Sequence, residues 1–288
     1  MRGFGPISIE VKGMFNRINM KKIFLGENEF NYNRPDRYAF LNWPFDNGLG
    51  HNDKRDSKQL IFDNLEMGKA HFANAILTLY SLVYSSNYCD IADSLIFPVF
   101  FNVWHSIELL LKSGINALTV LVKNQDAATL NHNIFDLKVA FETALKNAHM
   151  DLTLTNELDY LNNLVGEFKK VNAHFDFARY SFDSKGDFQF YNAPYYDSKQ
   201  WQSSSTLNDK SVVPNTCVDI TALFEVLGNI ASSFLTLINY LALCVSEEER
   251  PTDEGFEGFK TYHLDDDNMP NEDDPIIKIL NVIFFEIL

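Results

Sequence analysis

From Ser57 onward the apolar residues of this 288-residue chain recur every three or four positions. That repeat marks helices that bury one face, and it excludes an all-β fold for most of the chain. Leu60, Ile61, Leu65, Ala73, Ile76, Leu77, Tyr80 and Val83 carry the first run. They predict a helix from Ser57, read as its N-cap, to about Ser86. A second helix is predicted from near Asp90 to about Lys123, with Pro98 either kinking it or marking its true start. Further helices are predicted over roughly 133–148, 155–174 and 218–245.

The remainder of the chain differs in character. Ile7, Ile9 and Val11 alternate with Ser8, Glu10 and Lys12, which predicts a short β-ribbon within residues 7–26. Residues 27–56 are rich in Asn, Pro, Asp and Gly and read as a loop. Between the fourth and fifth helices, residues 180–216 form an aromatic- and serine-rich insertion, long enough to suggest a functional loop. Residues 247–274 carry twelve acidic side chains against two basic ones, so this stretch holds −10 of the net −15. It reads as a mobile acidic linker. A weaker reading makes it a mimic of nucleic acid. The last segment, 275–288, holds ten Ile, Leu, Val or Phe among fourteen residues and must dock somewhere to stay in solution. The expected domains are thus 1–56, a helical body 57–246, the linker 247–274 and an apolar terminal helix.

Composition narrows the class. At 46% hydrophobic and 22% charged the chain is neither disordered nor collagen-like. A net charge of −15 argues against a protein that coats duplex nucleic acid. Cys89, Cys217 and Cys244 form no CxxC pair, so no disulfide framework or structural zinc site is expected, and a reduced, cytoplasmic setting fits. The N-terminus shows no signal-peptide pattern. The most apolar stretches, 91–101 and 230–245, fall short of about 18 uninterrupted apolar residues, so no membrane span is expected. No P-loop, GxGxxG, HExxH, GxSxG or EF-hand pattern is present. No metal site and no cofactor are read.

Three stretches carry candidate chemistry. In Trp104–Lys112, His105, Glu108 and Lys112 are spaced to share one helix face. They form either a salt-bridge row that fixes packing or a polar groove in which His105 titrates near neutrality. In Asn131–Leu137, Asn131 or Asn133 suits a helix cap and His132 lies at the helix mouth. In His174–Gly186, Arg179 suits a phosphate or carboxylate, or pairs with Asp176 or Asp183. Gathered in one cleft, His105, His132, His174 and Arg179 are the candidate catalytic residues for metal-independent acid–base cleavage of RNA. Glu108, Lys112, Asn131, Tyr180 and Asp183 are the candidate substrate-binding residues.

The ordered set HSIELLLK (105–112), NHNIFDL (131–137) and ARYSFDSKG (178–186) resembles the HEPN-like helical proteins of bacteria and archaea. The resemblance implies an up-and-down bundle of four to five helices, usually dimeric, in anti-phage defence or toxin–antitoxin systems. Many such proteins are metal-independent ribonucleases with Arg followed four to six residues later by His. Here the order is reversed, as His174 and Arg179. Related non-catalytic members serve as interaction modules, and that alternative stands beside RNA cleavage or binding. A homodimer is expected, because the apolar surface exceeds what one thin helical layer hides. The terminal segment is a candidate contact to a protein partner or to the bundle's own groove.

Overall fold

The computed structural model describes residues 57–84, 91–122, 130–150, 157–171, 218–264 and 275–284, all within one unit, Pro44–Leu288. Among these residues every regular element is a helix: α1 (Ser57–Tyr84), α2 (Ala92–Leu121), α3 (Ile134–Asn147), α4 (Asp159–Val171), α5 (Ile220–Glu247), α6 (Asp253–Leu264) and α7 (Pro275–Ile283). The described part of the protein is therefore mainly α, as its periodicity predicts. The expected β-ribbon and the insertion 180–216 lie outside the described residues. Two local expectations are corrected. Ser57 is itself helical rather than the cap. Pro98 lies inside α2 and does not start it.

α1 and α2 pack along their length as an antiparallel pair. Ile61, Leu65, Phe72, Ile76 and Leu79 of α1 and Val103, Ile107, Leu110 and Leu111 of α2 are all buried in the same core. The register is pinned by two buried serines. Ser113 Oγ donates to the Ile61 carbonyl at 2.9 Å, and Ser106 Oγ donates to the Gly68 carbonyl at 2.8 Å. Gly68 permits the close approach, since a Cβ there would stand 2.9 Å from the Leu110 side chain. On its other flank α2 meets α3 and the C-terminal half of α5. A Cβ on Gly114 would come within 2.5 Å of the Phe141 ring and 2.7 Å of Ile238. Small residues on α1 and α2 thus decide how near neighbouring helices come.

Caps fix the helix ends. Asn133 caps α3, its side chain accepting from Phe135 N at 3.0 Å. Asp219 caps α5, accepting from Thr221 N and Ala222 N. α3 ends with His149 in the left-handed region, φ 62°, and Met150 N returns to Leu145 O at 3.1 Å. This is the double closure usually built on glycine.

α5 is one rod interrupted by a π turn at Ala231–Leu235. By length and composition α2 and α5 are each apolar enough to cross a membrane, because a windowed average tolerates isolated polar residues. In the bundle most of α5 is enclosed by other helices. The stretch 247–274, read as a linker, contains α6. Phe256 is fully buried, and its ring and that of Phe259 lie 5.6 and 5.7 Å from the Tyr240 ring. The Tyr240 hydroxyl accepts from Thr252 N at 3.1 Å and lies 3.2 Å from Thr252 O. Lys260 forms a further tie to buried Glu157, just ahead of α4. Two aromatic anchors outweigh the acidic composition here. α7 docks on the chain's own bundle, against α1 and the π turn, burying Ile276, Val282 and Ile283.

Candidate functional site

Glu108 is the centre of the polar cluster. It lies on the side of α2 that meets the start of α3, and its side chain is only 8% exposed. An isolated carboxylate at that depth is costly, so it needs donors. Lys112, one turn along, donates from Nζ to Oε1 at 2.7 Å. His132, at the mouth of α3, approaches the same oxygen through Nδ1 at 2.7 Å. His105 Nδ1 stands 3.9 Å from Oε2, within ion-pair range though beyond a hydrogen bond. Burial pushes the Glu108 carboxyl up; the neighbouring imidazole of His105 and the bonds from Lys112 and His132 outweigh it and bring the pKa down to about 2.

An ionised carboxylate only accepts, which settles how His132 is protonated. Nδ1 carries the hydrogen and donates, so in the neutral ring Nε2 keeps its lone pair. The 3.5 Å between Lys112 Nζ and His132 Nδ1 is the spacing of two donors that share one acceptor. The His132 side chain is 87% exposed, so a buried carboxylate orients an imidazole that solutes can reach. The turn that carries it is braced locally. Asn131 Oδ1 accepts from Asn133 N at 2.9 Å, and Asn131 Nδ2 donates to Asp136 Oδ2 at 3.0 Å.

The antiparallel register of α1 and α2 adds a third imidazole. His71 Nδ1 donates to Asn102 Oδ1 at 2.8 Å. Its ring lies edge-on to His105 at 4.6 Å, and His105 in turn stacks on Phe101 at 5.9 Å. A row of polar groups therefore runs from His71 on α1, over His105 and Glu108 on α2, to His132 before α3. Beside it stands an aromatic frame. Trp104 meets Phe135 at 5.9 Å and Phe168 at 6.1 Å, and Phe100 meets Phe168 at 5.6 Å. Lys169, the next residue on α4, holds its ammonium 5.3 Å from the centre of the Phe135 ring.

Of the residues proposed from the sequence, His105, Glu108, Lys112 and His132 come together. Asn131 lies at the same corner, with its side chain turned to the α3 cap rather than to the carboxylate. His174, Arg179, Tyr180 and Asp183 lie outside the described residues. The sequence reading missed His71, Asn102, Phe135 and Lys169. No local motif marks them, and only helix pairing brings them in. Among the described residues no group of three His, Cys, Asp or Glu side chains is placed to hold a metal ion.

What the geometry defines is a helical bundle with a carboxylate-anchored imidazole open to solvent, a second imidazole beside the same carboxylate and an aromatic wall. That set is suited to proton transfer on a ligand resting against the wall. No protein-family model, no curated protein and no solved structure matches the chain.

Proposed function

We propose that this is an HEPN-like protein of a prokaryotic anti-phage or toxin–antitoxin system that acts on RNA in the cytoplasm, as a homodimer, without a metal. The observation that supports the reading is the exposed His132 imidazole, hydrogen-bonded through Nδ1 to a buried, ionised Glu108. A carboxylate behind an imidazole fixes its tautomer and favours its protonated form during reaction. In the proposed step, His132 Nε2 takes the proton of a ribose 2′-hydroxyl as that oxygen attacks the adjacent phosphorus. The bond to the 5′-oxygen breaks, and protonated His105 donates a proton to it. The products are a 2′,3′-cyclic phosphate end and a 5′-hydroxyl end, with atoms and charge balanced.

A second reading has its own observation. Glu108 Oε1 joins Lys112 of α2 to His132 ahead of α3, which is also what a structural tie between α2 and α3 requires. In that case the bundle is a non-catalytic interaction module of a defence complex.

One assay separates the two. Purified protein is incubated with end-labelled single-stranded RNA in the presence of a chelator. The catalytic reading expects cleavage with cyclic phosphate ends, and a loss of about a hundredfold or more in H132A and in H105A. RNA retention without cleavage supports the module. Cleavage that survives both substitutions removes the acid–base assignment.

A further inference from the structure

Among the described residues most cations are already neutralised. Lys58, Lys112, Lys138, Lys170 and Lys260 each hold a carboxylate. Lys169 does not. It is exposed, in the last turn of α4, and its ammonium rests 5.3 Å over the Phe135 ring. A ring face attracts a cation through its quadrupole but does not cancel its charge. A lysine held this way is positioned and still carries a full positive charge for a ligand.

Its place is set by packing rather than chance. Phe168, the preceding residue, is buried against Phe100 and Trp104. That anchors the last turn of α4 to the face of α2 that also bears His105 and Glu108. The ring beneath Lys169 belongs to Phe135, about one turn along the chain from His132. Lys146 also has no acidic partner among the described residues. However, it lies fourteen residues from His132, at the far end of α3, about 20 Å away along the helix. In a chain of net charge −15, an anionic polymer approaches only where a local cation offsets the general repulsion.

We propose that Lys169 is the phosphate-binding residue of this site, gripping the backbone of a single-stranded RNA whose adjacent phosphodiester lies at His132. The inference rests on the RNA reading above. A lysine suits the task, because a point charge on a flexible stem follows a phosphate without demanding a planar, two-pronged fit. One contact of this kind sets affinity and salt dependence, not base sequence.

The test uses the full chain and a fluorescein-labelled 2′-O-methyl dodecamer, which has no free 2′-hydroxyl and stays intact. Anisotropy titrations run from 50 to 200 mM salt. K169A is expected to weaken binding about three- to tenfold and to lower the slope of log affinity against log salt by about 0.7. K169R is expected to bind like the wild type. If the wild type binds and K169A matches it in affinity and slope, the assignment of Lys169 is wrong and the RNA reading stands. If the wild type does not bind the oligonucleotide at all, the RNA reading itself fails.

Discussion

Glu108 shows how a single buried charge is held in place. Burial alone favours the neutral acid, and the surrounding donors reverse that preference until the group titrates near 2 instead of 4.5. A carboxyl whose pKa is depressed on folding stabilises the fold at every pH above its unfolded value. That contribution disappears as pH falls through the folded value. The window here runs from about 4.5 down to about 2. The size of the shift corresponds to about 3 kcal/mol. E108Q keeps the shape but loses the charge and leaves Lys112, only 14% exposed, without its partner. Urea denaturation is expected to show E108Q about 2–3 kcal/mol less stable at pH 7, with the deficit shrinking between pH 4.5 and pH 3. A deficit that is equal at both pH values would refute the ion-pair account. At this scale the sequence was informative about α2, because the i, i+3, i+7 spacing of His105, Glu108 and Lys112 places them on one face whatever the fold. It was silent on which imidazole bonds the carboxylate, because that depends on where α3 begins in space.

At the scale of the element, α5 carries a fault of its own. Thr236 Oγ1 reaches back to Ala231 O at 3.2 Å, and Ser233 Oγ to Asn229 O at 2.7 Å, around the π turn. Hydroxyls that bond helix carbonyls in this way accompany local distortion of the rod. One turn further, Asn239 is fully buried and neither Oδ1 nor Nδ2 has a hydrogen-bond partner among the described residues. Such groups destabilise, and an apolar side chain of similar size removes the cost. N239L is therefore expected to stabilise the protein by about 1–2 kcal/mol, read as a rise in Tm. A fall in Tm would show that the amide is bonded in solution and that the residue supports α5. The apolar pattern of 218–245 predicts this helix, but a π turn adds one residue to a single loop of the rod. Periodicity averaged over a window does not register so local a change.

At the scale of the molecule, α7 closes the bundle. Its nine residues cover apolar surface on α1 and on the π turn and bury three aliphatic side chains. Each contributes about 1.5–3 kcal/mol by burial. Deleting residues 265–288 is expected to lower Tm by roughly 10–35 °C, on the scale of 2–4 °C per kcal/mol for a large domain. Static light scattering is expected to show association of the truncated chain at concentrations where the intact protein scatters as one species. Unchanged Tm and scattering would mean that the α7 contact adds nothing to the fold. The expected docking of the terminal segment is met by the chain's own groove. The acidic composition just before it misled the reading of α6, because two buried aromatic rings outweigh a run of exposed carboxylates.

By itself the sequence determined where the helices other than α6 lie, which face of each is apolar, and that His105, Glu108 and Lys112 share a row. These follow from contacts within a few residues, governed by one repeat of 3.6. Only the tertiary structure decided that His132 shares the oxygen bonded by Lys112, that His71 meets His105, and that Lys169 rests on Phe135. A helix announces that it has a buried face but not which partner covers it. That choice is made by shape, through Gly68 and Gly114 and two serines that set the spacing of neighbouring rods, and it involves residues far apart in the chain.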